Sequence, residues 1–327
     1  MRAAFFRRRG LLLGLASAFT LLAQPLPALA QVNSATPVRI VVPYPAGSTP
    51  DSLARILSEG LTKRINRPVV IDNRAGASGM IGAKFVSDAA PDGNTLLMFT
   101  PAWPAARIFQ KTPLVPVPDG LEPVTIVAEG AFSLVGSGKF QVNTFDELVS
   151  HARANPGKVN FATVGQSDIH LYLLLMQKEK NFTMEGIQYK GSSEYLPDLV
   201  SNNVQVAITP PYTVLPFVKD GKMRVLAVSG DNRMSIYPDA PTFKELGLPQ
   251  IHNNWFTLFA PRNTSPELVS KLNADFVALI RSPEIAKRIQ EIYFDPVGSS
   301  AEAARQIITT EIKEWSSLAK SVGVEPQ

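Results

Sequence analysis

Short apolar runs alternate with stretches of helical periodicity along almost the whole chain. Between the runs, apolar residues recur every three or four positions, as in Leu53, Ile56, Leu57, Leu61 and Ile65. The runs read as strands at 38–42, 68–72, 95–99, 124–128, 132–136, 159–163, 186–189, 204–208, 225–228 and 257–260. This alternation of strands and helices predicts an α/β fold with largely parallel sheets.

The first 30 residues have the pattern of an export signal. Arg2 and three consecutive Arg from position 7 precede an apolar run at 11–23, and the small residues Ala28 and Ala30 follow. The apolar run is too short to span a membrane. We therefore predict a signal peptide over about 1–30 and a periplasmic protein, exported by the general route or, on the loose match RRRGLLL, by the twin-arginine route.

Charge and composition exclude several classes of protein. The net charge is +4, and the first 30 residues hold four Arg and no acid, so the remainder is near neutral and lacks the basic surface of a nucleic-acid binder. The chain has no Cys and three scattered His. Disulfides and thiolate sites are thus excluded, and we predict neither a metal site nor a cofactor.

Two similar loops predict an anion site. VRIVVPYPAGSTPDSLAR, at 38–55, passes from a strand through small and polar residues into a helix, and ATVGQSDIHL, at 162–171, does the same in the second half. A loop between strand and helix directs N–H groups, hydroxyls and the positive end of the helix dipole at one spot. We therefore expect one negatively charged ligand between two lobes.

Two places look like crossovers between these lobes. Strands 124–128 and 132–136 are separated by only three residues, and the segment IHNNWFTLFAP, at 251–261, is the second candidate. If both are crossovers, lobe 1 comprises 31–133 plus 253–327 and lobe 2 comprises 134–252.

Several short phrases resemble one family over nearly all of the chain after the signal. They include VVPYPAGSTPDSLAR, VVIDNRAGASGMIGAKFV, APDGNTLLM, NPGKVNFATVG and YKGSSEYLPDLVSNNV, in this order. The chain resembles the substrate-binding proteins of tripartite tricarboxylate transporters, also called the Bug or TctC-like family. The resemblance implies a two-lobed periplasmic-binding-protein fold (type II-like), with two crossover strands and a ligand cleft between the lobes. It further implies a small-molecule carboxylate as ligand, its delivery to membrane permease subunits, and no catalytic residue.

The resemblance also implies a set of ligand-binding residues. In the first half these are Tyr44, Ala46, Gly47, Ser48, Thr49, Asp51, Asn73, Ser78, Thr100 and Ala102. In the second half they are Thr163, Gly165, Gln166, Ser167, His170 and Tyr189.

Alternative interpretations remain for single residues. Ser48, Thr49 and Ser167 could be ordinary helix N-caps. For Asp51 a capping or loop-ordering role is favoured, because a negatively charged carboxylate repels an anionic ligand. His170 lies beside Leu171, and a lone His in such a place is more often a structural group than a ligand contact.

The sequence also leaves the ligand and the biological role open. The favoured ligand is a dicarboxylate. Rings at Tyr44, Trp103 and Tyr212 make an aromatic dicarboxylate such as terephthalate the first choice, and an aliphatic C4–C6 acid is the second. A sensor that docks on a membrane kinase is another role for the same lobes. An exported hydrolase with Ser48 or Ser167 as nucleophile is the rival from another class, although neither serine lies in a G-x-S-x-G elbow.

Overall fold

The computed structural model describes residues 36–248 and 254–326. The predicted signal peptide, the start of the second candidate crossover and His252 lie outside these residues. The described strands are β1 (Val38–Val42), β2 (Val69–Asn73), β3 (Thr95–Phe99), β4 (Leu121–Gly130), β5 (Ser133–Ser137), β6 (Asn160–Thr163), β7 (Glu185–Gln188), β8 (Val206–Thr209), β9 (Met223–Val228), β10 (Asn254–Pro261) and β11 (Asp295–Pro296).

Helices follow most of these strands. They are α1 (Thr49–Ile65), α2 (Met80–Ser87), α3 (Ala102–Phe109), α4 (Phe145–Ala154), α5 (Asp168–Lys180), α6 (Ser192–Ser201), α7 (Pro211–Lys219), α8 (Pro266–Ile280), α9 (Pro283–Glu291) and α10 (Ala301–Ser321). Each strand predicted from the sequence overlaps an observed strand, because apolar β-branched runs bounded by polar residues are a local signal. Among the described residues, none of the helices is long and apolar enough to cross a membrane.

The strands form two separate sheets. The first sheet has the order β11-β4-β10-β3-β1-β2, and the second has the order β7-β6-β8-β5-β9. Helices cover the sheets, so that each sheet has an apolar core of its own. This two-sheet α/β architecture agrees with the two-lobed fold predicted from the sequence. The lobe based on the first sheet is called the first lobe below, and the other the second lobe.

The sheets are mixed, so the prediction of largely parallel sheets is wrong. The β1–β2, β1–β3, β6–β7 and β6–β8 pairs are parallel. Strands β10 and β5 instead run antiparallel to both neighbours. Both of these strands follow a change from one sheet to the other, where the chain enters the new sheet from the opposite direction. Periodicity reports burial and not strand direction, so the sequence could not reveal this.

One change of sheet is fully described. β4 ends at Gly130 and β5 begins at Ser133, so only two residues connect the sheets. The Phe132 N–H donates to Ser229 Oγ (2.7 Å), and the Ser229 N–H donates to Phe132 O (2.8 Å). These bonds tie the crossover to the end of β9.

Two helices pack away from the sheet expected from their position in the chain. Ala105, Ile108 and Phe109 of α3 join the apolar core of the second sheet, as do Trp315 and Ala319 of α10. The exact lobe boundaries proposed from the sequence therefore remain a prediction.

Candidate functional site

A cavity of about 100 Å³ lies between the two lobes. Its polar or small lining residues from the first lobe are Tyr44, Ser48, Thr49, Thr100, Ala102 and Asn254. From the second lobe come Ser167, Asp168, Gly191, Ser192 and Tyr195, and the apolar wall includes Phe132, Val164, Ile169, Ile208, Pro210 and Phe256. Both predicted loops therefore contribute to one cavity.

Five helices begin at this cavity. The first residues or N-caps of α1, α3, α5, α6 and α7 are among its lining residues. The first N–H groups of a helix have no partner within the helix, and the helix dipole places partial positive charge there. The cavity thus offers N–H donors and a positive potential from both lobes without a basic side chain.

Two serine hydroxyls in this cavity have no hydrogen-bond partner. Ser48 is the N-cap of α1 and Ser167 the N-cap of α5, yet neither side chain caps its helix. Both residues are buried, at 3% and 2% exposure, and both Oγ atoms are unpartnered. The N-capping interpretation of these two residues is therefore wrong. A buried unpaired hydroxyl is costly, which makes these atoms candidates for binding a ligand.

Other predicted residues of the first loop hold the loop in shape. Asp51 accepts hydrogen bonds from Arg55 (2.9 and 3.0 Å), from the Gly47 N–H (3.0 Å) and from Asn73 Nδ2 (2.9 Å). Burial opposes the ionisation of Asp51, but these hydrogen bonds outweigh it and hold its pKa below the usual value. Asp51 thus has a loop-ordering role, and Ala46 and Gly47 are exposed beside it.

Tyr44 and Thr100 form a polar pair in the wall. Their hydroxyl oxygens are 2.6 Å apart, and the Ala102 N–H at the start of α3 donates to Thr100 Oγ1 (3.3 Å). Burial raises the pKa of Tyr44 far above its ordinary value, so its hydroxyl keeps its proton. The pair can therefore donate one hydrogen bond.

The lobes touch at three points beside the cavity. Thr49 Oγ1 lies 3.2 Å from Thr213 Oγ1 of α7. Gly165 packs against Ser78, so that a Cβ at Gly165 would lie 1.7 Å from Ser78 Oγ. A Cβ at Gly191 would lie 2.7 Å from Pro45 Cδ. The two lobes are closed on each other in this arrangement.

Several predicted residues lie outside the cavity lining. Thr163 donates to Gly165 O (3.0 Å), which orders the second loop, and Gln166 is exposed. Tyr189 donates to Asp198 (2.7 Å). His170 stacks edge-on against Phe109, and burial lowers its pKa. Ser78 packs against Gly165 of the other lobe, and Asn73 donates a hydrogen bond to Asp51. All of these residues support the site and do not line it.

Asp168, Ser192 and Pro210 line the cavity and were not predicted as site residues. Asp168 directly follows Ser167, is 5% exposed and lines the cavity. Burial raises its pKa to about 7, although the backbone N–H groups of Ile169 and Asp168 itself lower it. The pair Ser167-Asp168 at a helix start is a sequence pattern from which Asp168 could have been predicted as a site residue. The helix start at Gly191 and Ser192 was visible too, but its convergence on this cavity depends on the order of the strands.

Of the rings that favoured an aromatic ligand, only Tyr44 lines the cavity. Trp103 is fully buried and packs on Phe259, and Tyr212 is exposed on α7. Phe132, Tyr195 and Phe256 line the wall instead.

Among the described residues, the site lacks a serine–histidine pair. The two buried serine hydroxyls have no histidine partner, and His170 Nδ1 is itself unpartnered. Within the described ranges, no cluster of three or more His, Asp or Glu side chains could hold a metal ion.

Residues 53–324 match the model of the TctC family, described as the tripartite tricarboxylate transporter family receptor. The chain belongs to this family. It is a solute-binding receptor and not an enzyme, so the alternative of an exported hydrolase is wrong.

Several similar proteins agree with the family assignment. The protein BugT of Bordetella pertussis is 32% identical over 304 residues, which cover 91% of this chain and 93% of BugT. The periplasmic binding protein BugD has the same fold, with a TM-score of 0.83 and 28% identity over 89% of this chain and 99% of BugD. The Rpa4515 protein of R. palustris with adipate has a TM-score of 0.83 and 31% identity, covering 89% of this chain and 99% of that protein. MatC of Rhodopseudomonas palustris with bound malate has a TM-score of 0.80 and 27% identity, covering 86% and 98%.

Proposed function

We propose that this receptor acts in the periplasm, closes its two lobes on a carboxylate and delivers it to the membrane subunits of a tripartite tricarboxylate-type permease. The observation that carries the proposal is the pair of buried, unpartnered hydroxyls, Ser48 Oγ in the first lobe and Ser167 Oγ in the second. They lie at a cavity where helices of both lobes begin, so first-turn N–H groups and helix dipoles favour an anion there. A carboxylate accepts several hydrogen bonds at once, so it suits donors that approach from two sides.

The closing motion follows from the same arrangement. A ligand that contacts both helix starts stabilises the closed form over an open one, because an open form offers it only one set of donors. Thr49 with Thr213, Ser78 with Gly165 and Pro45 with Gly191 then come into contact. No buried cation has to be left unpaired when the ligand leaves, which suits a protein that must release its cargo.

Two related proteins support the ligand class. The adipate and malate bound by Rpa4515 and MatC are both carboxylates. The dicarboxylate predicted from the sequence, aromatic or aliphatic, remains a prediction for this chain.

A thermal-shift screen tests the ligand class. The mature protein is heated with acetate, succinate, malate, adipate, citrate, benzoate and terephthalate, and with neutral sugars as controls. We expect at least one carboxylate to raise Tm in a concentration-dependent way, and the double variant S48A/S167A to lose that shift. Stabilisation by neutral sugars alone, or by no carboxylate, would contradict the proposal.

Delivery to a permease needs a separate experiment. Cells that express the large and small membrane subunits of a tripartite tricarboxylate-type permease are assayed for uptake of the labelled carboxylate, with and without the receptor. We expect uptake to depend on the receptor. Full uptake without it, together with receptor-dependent kinase signalling, would replace transport by the sensor role.

A further inference from the structure

We propose that the ligand carries an ammonium group in addition to its carboxylate, and that Asp168 is the residue that binds the ammonium. The inference rests on the proposed carboxylate receptor and names the second half of its ligand. A zwitterion, such as an amino acid or a betaine, is the chemical class that fits.

The charge of the cavity wall is the first argument. Among the described lining residues Asp168 is the one acid, and none of the others is Lys, Arg or His. Its side chain is buried at the start of α5, beside the unpartnered Ser167 hydroxyl. A buried carboxylate without a cationic partner has a raised pKa, as Asp168 has, and a cation beside it favours its charged form. The cavity itself supplies no cation, so the ligand is the available source of one.

The hydrogen bonds of Asp168 are the second argument. The backbone N–H groups of Asp168 and Ile169, the first donors of α5, already interact with the Asp168 carboxylate. A second ligand carboxylate directed at this helix start would find these donors taken and a like charge in place. The start of α1 and the Ser48 hydroxyl are still available to the ligand's one carboxylate.

The groups around Asp168 strengthen this argument. Tyr44 and Tyr195 line the same cavity, and burial raises the pKa of both hydroxyls, that of Tyr195 to about 12, so both are neutral. Glu311 of α10 is a second buried acid, but burial raises its pKa to about 8, so it is mostly protonated at neutral pH. His170, on α5 with Asp168, has a pKa lowered by burial, which favours its neutral form. None of these neighbouring groups therefore supplies Asp168 with a positive charge.

The rings of the wall are the third argument. Tyr44, Phe132, Tyr195 and Phe256 all line this cavity of about 100 Å³. Aromatic faces attract an ammonium group, most strongly where water is excluded, whereas they repel a carboxylate. A buried acid with several rings is a recognised way to bind an alkylammonium ion.

Isothermal titration calorimetry with matched pairs tests the inference. Each pair contains an acid with an ammonium group and its counterpart without one: aspartate and succinate, glutamate and glutarate, 4-aminobutyrate and butyrate, and glycine betaine and 3,3-dimethylbutyrate. We expect the ammonium-bearing member of at least one pair to bind at least tenfold more tightly. In the variant Asp168→Asn that preference should fall at least tenfold, while the member without nitrogen binds as well or better.

Controls separate the possible failures. Circular dichroism and thermal unfolding show whether Asp168→Asn is folded, and Glu311→Gln removes a buried acid outside the lining and should keep the preference. Tighter binding of the nitrogen-free acid in every pair, or an unchanged preference in Asp168→Asn, overturns the inference while the carboxylate receptor stands. Binding of no acid, here and in the thermal-shift screen, overturns both.

Discussion

At the scale of single residues, the hydroxyls of Ser48 and Ser167 should contribute to ligand affinity but not to the stability of the free protein. Each is an N-cap by position that makes no cap hydrogen bond. We expect Ser48→Ala and Ser167→Ala each to weaken carboxylate binding about tenfold, which is the usual contribution of one hydrogen bond to a charged group. The unfolding free energy of the ligand-free protein should not fall, because no hydrogen bond of the free protein is lost.

A matched control exists on α10. Ser300 is also an N-cap, and its Oγ accepts a hydrogen bond from the Ala303 N–H (3.1 Å). Ser300→Ala should lower the unfolding free energy by about 1 kcal/mol and leave ligand affinity unchanged. Calorimetric titration and urea unfolding of the three variants check this. Full affinity in Ser48→Ala and Ser167→Ala would contradict the assigned role.

Glu311 gives a prediction on pH. Burial raises its pKa to about 8, although Trp255 Nε1 donates to both of its oxygens (2.9 Å). The unfolded chain releases this proton at a lower pH than the native protein does. Stability is therefore greatest below the unfolded pKa and is lost as pH rises towards the native pKa.

Glu311→Gln removes that titration. Its stability advantage over the natural protein should grow by on the order of 3 kcal/mol between pH 5 and pH 8. Urea unfolding at both values measures the difference, with Glu302→Gln, an exposed acid of the same helix, as control. A constant difference between the two pH values would show that Glu311 titrates normally.

At the scale of elements, the contact between the second loop and Ser78 couples the lobes. Gly165 has a φ of +62°, and a Cβ there would lie 1.7 Å from Ser78 Oγ. Gly221 has a φ of +68° with no atom within 4 Å of an added Cβ. Both Gly→Ala changes strain the backbone by about 1 kcal/mol, but only Gly165→Ala obstructs closure.

We therefore expect equal losses of Tm for Gly165→Ala and Gly221→Ala, and a loss of ligand affinity of tenfold or more for Gly165→Ala alone. Thermal unfolding and calorimetric titration measure these quantities. Equal affinities of the two variants would show that the loop contact with Ser78 is not part of the closed, ligand-bound form.

The bounds of some strands could be predicted from the sequence, but the direction of others could not. β1 and β3 have the predicted bounds, because apolar β-branched runs bounded by polar residues are a local signal. The direction of β5 and β10 depends on chain reversals between the sheets, which leave no periodic trace.

The site divides in the same way. Ser48 and Ser167 could be predicted because each lies in a strand–loop–helix motif readable from its neighbours. Asp168 belongs to the same motif, but it was not predicted to line the site because an acid is an unexpected neighbour for an anionic ligand. Ser192 and Pro210 come to the cavity through the strand order β7-β6-β8-β5, which only the folded chain shows.

At the scale of the whole molecule, the structure is a closed form in which the lobes meet around a small cavity. The two-residue link between β4 and β5 has its own hydrogen bonds to Ser229, so a hinge there can move with little change in either sheet. Small-angle scattering should give a smaller radius of gyration for the protein saturated with a carboxylate that stabilises it than for the free protein. An unchanged radius would argue against lobe closure on the ligand.

The most direct measurement is a crystal structure of the mature protein with the carboxylate that raises its Tm most. The account predicts the ligand between the starts of α1 and α5, with its carboxylate at the start of α1 and with Ser48 Oγ and Ser167 Oγ both within hydrogen-bond distance of the ligand. A ligand outside this cavity, or one that contacts only one lobe in a closed molecule, would contradict it.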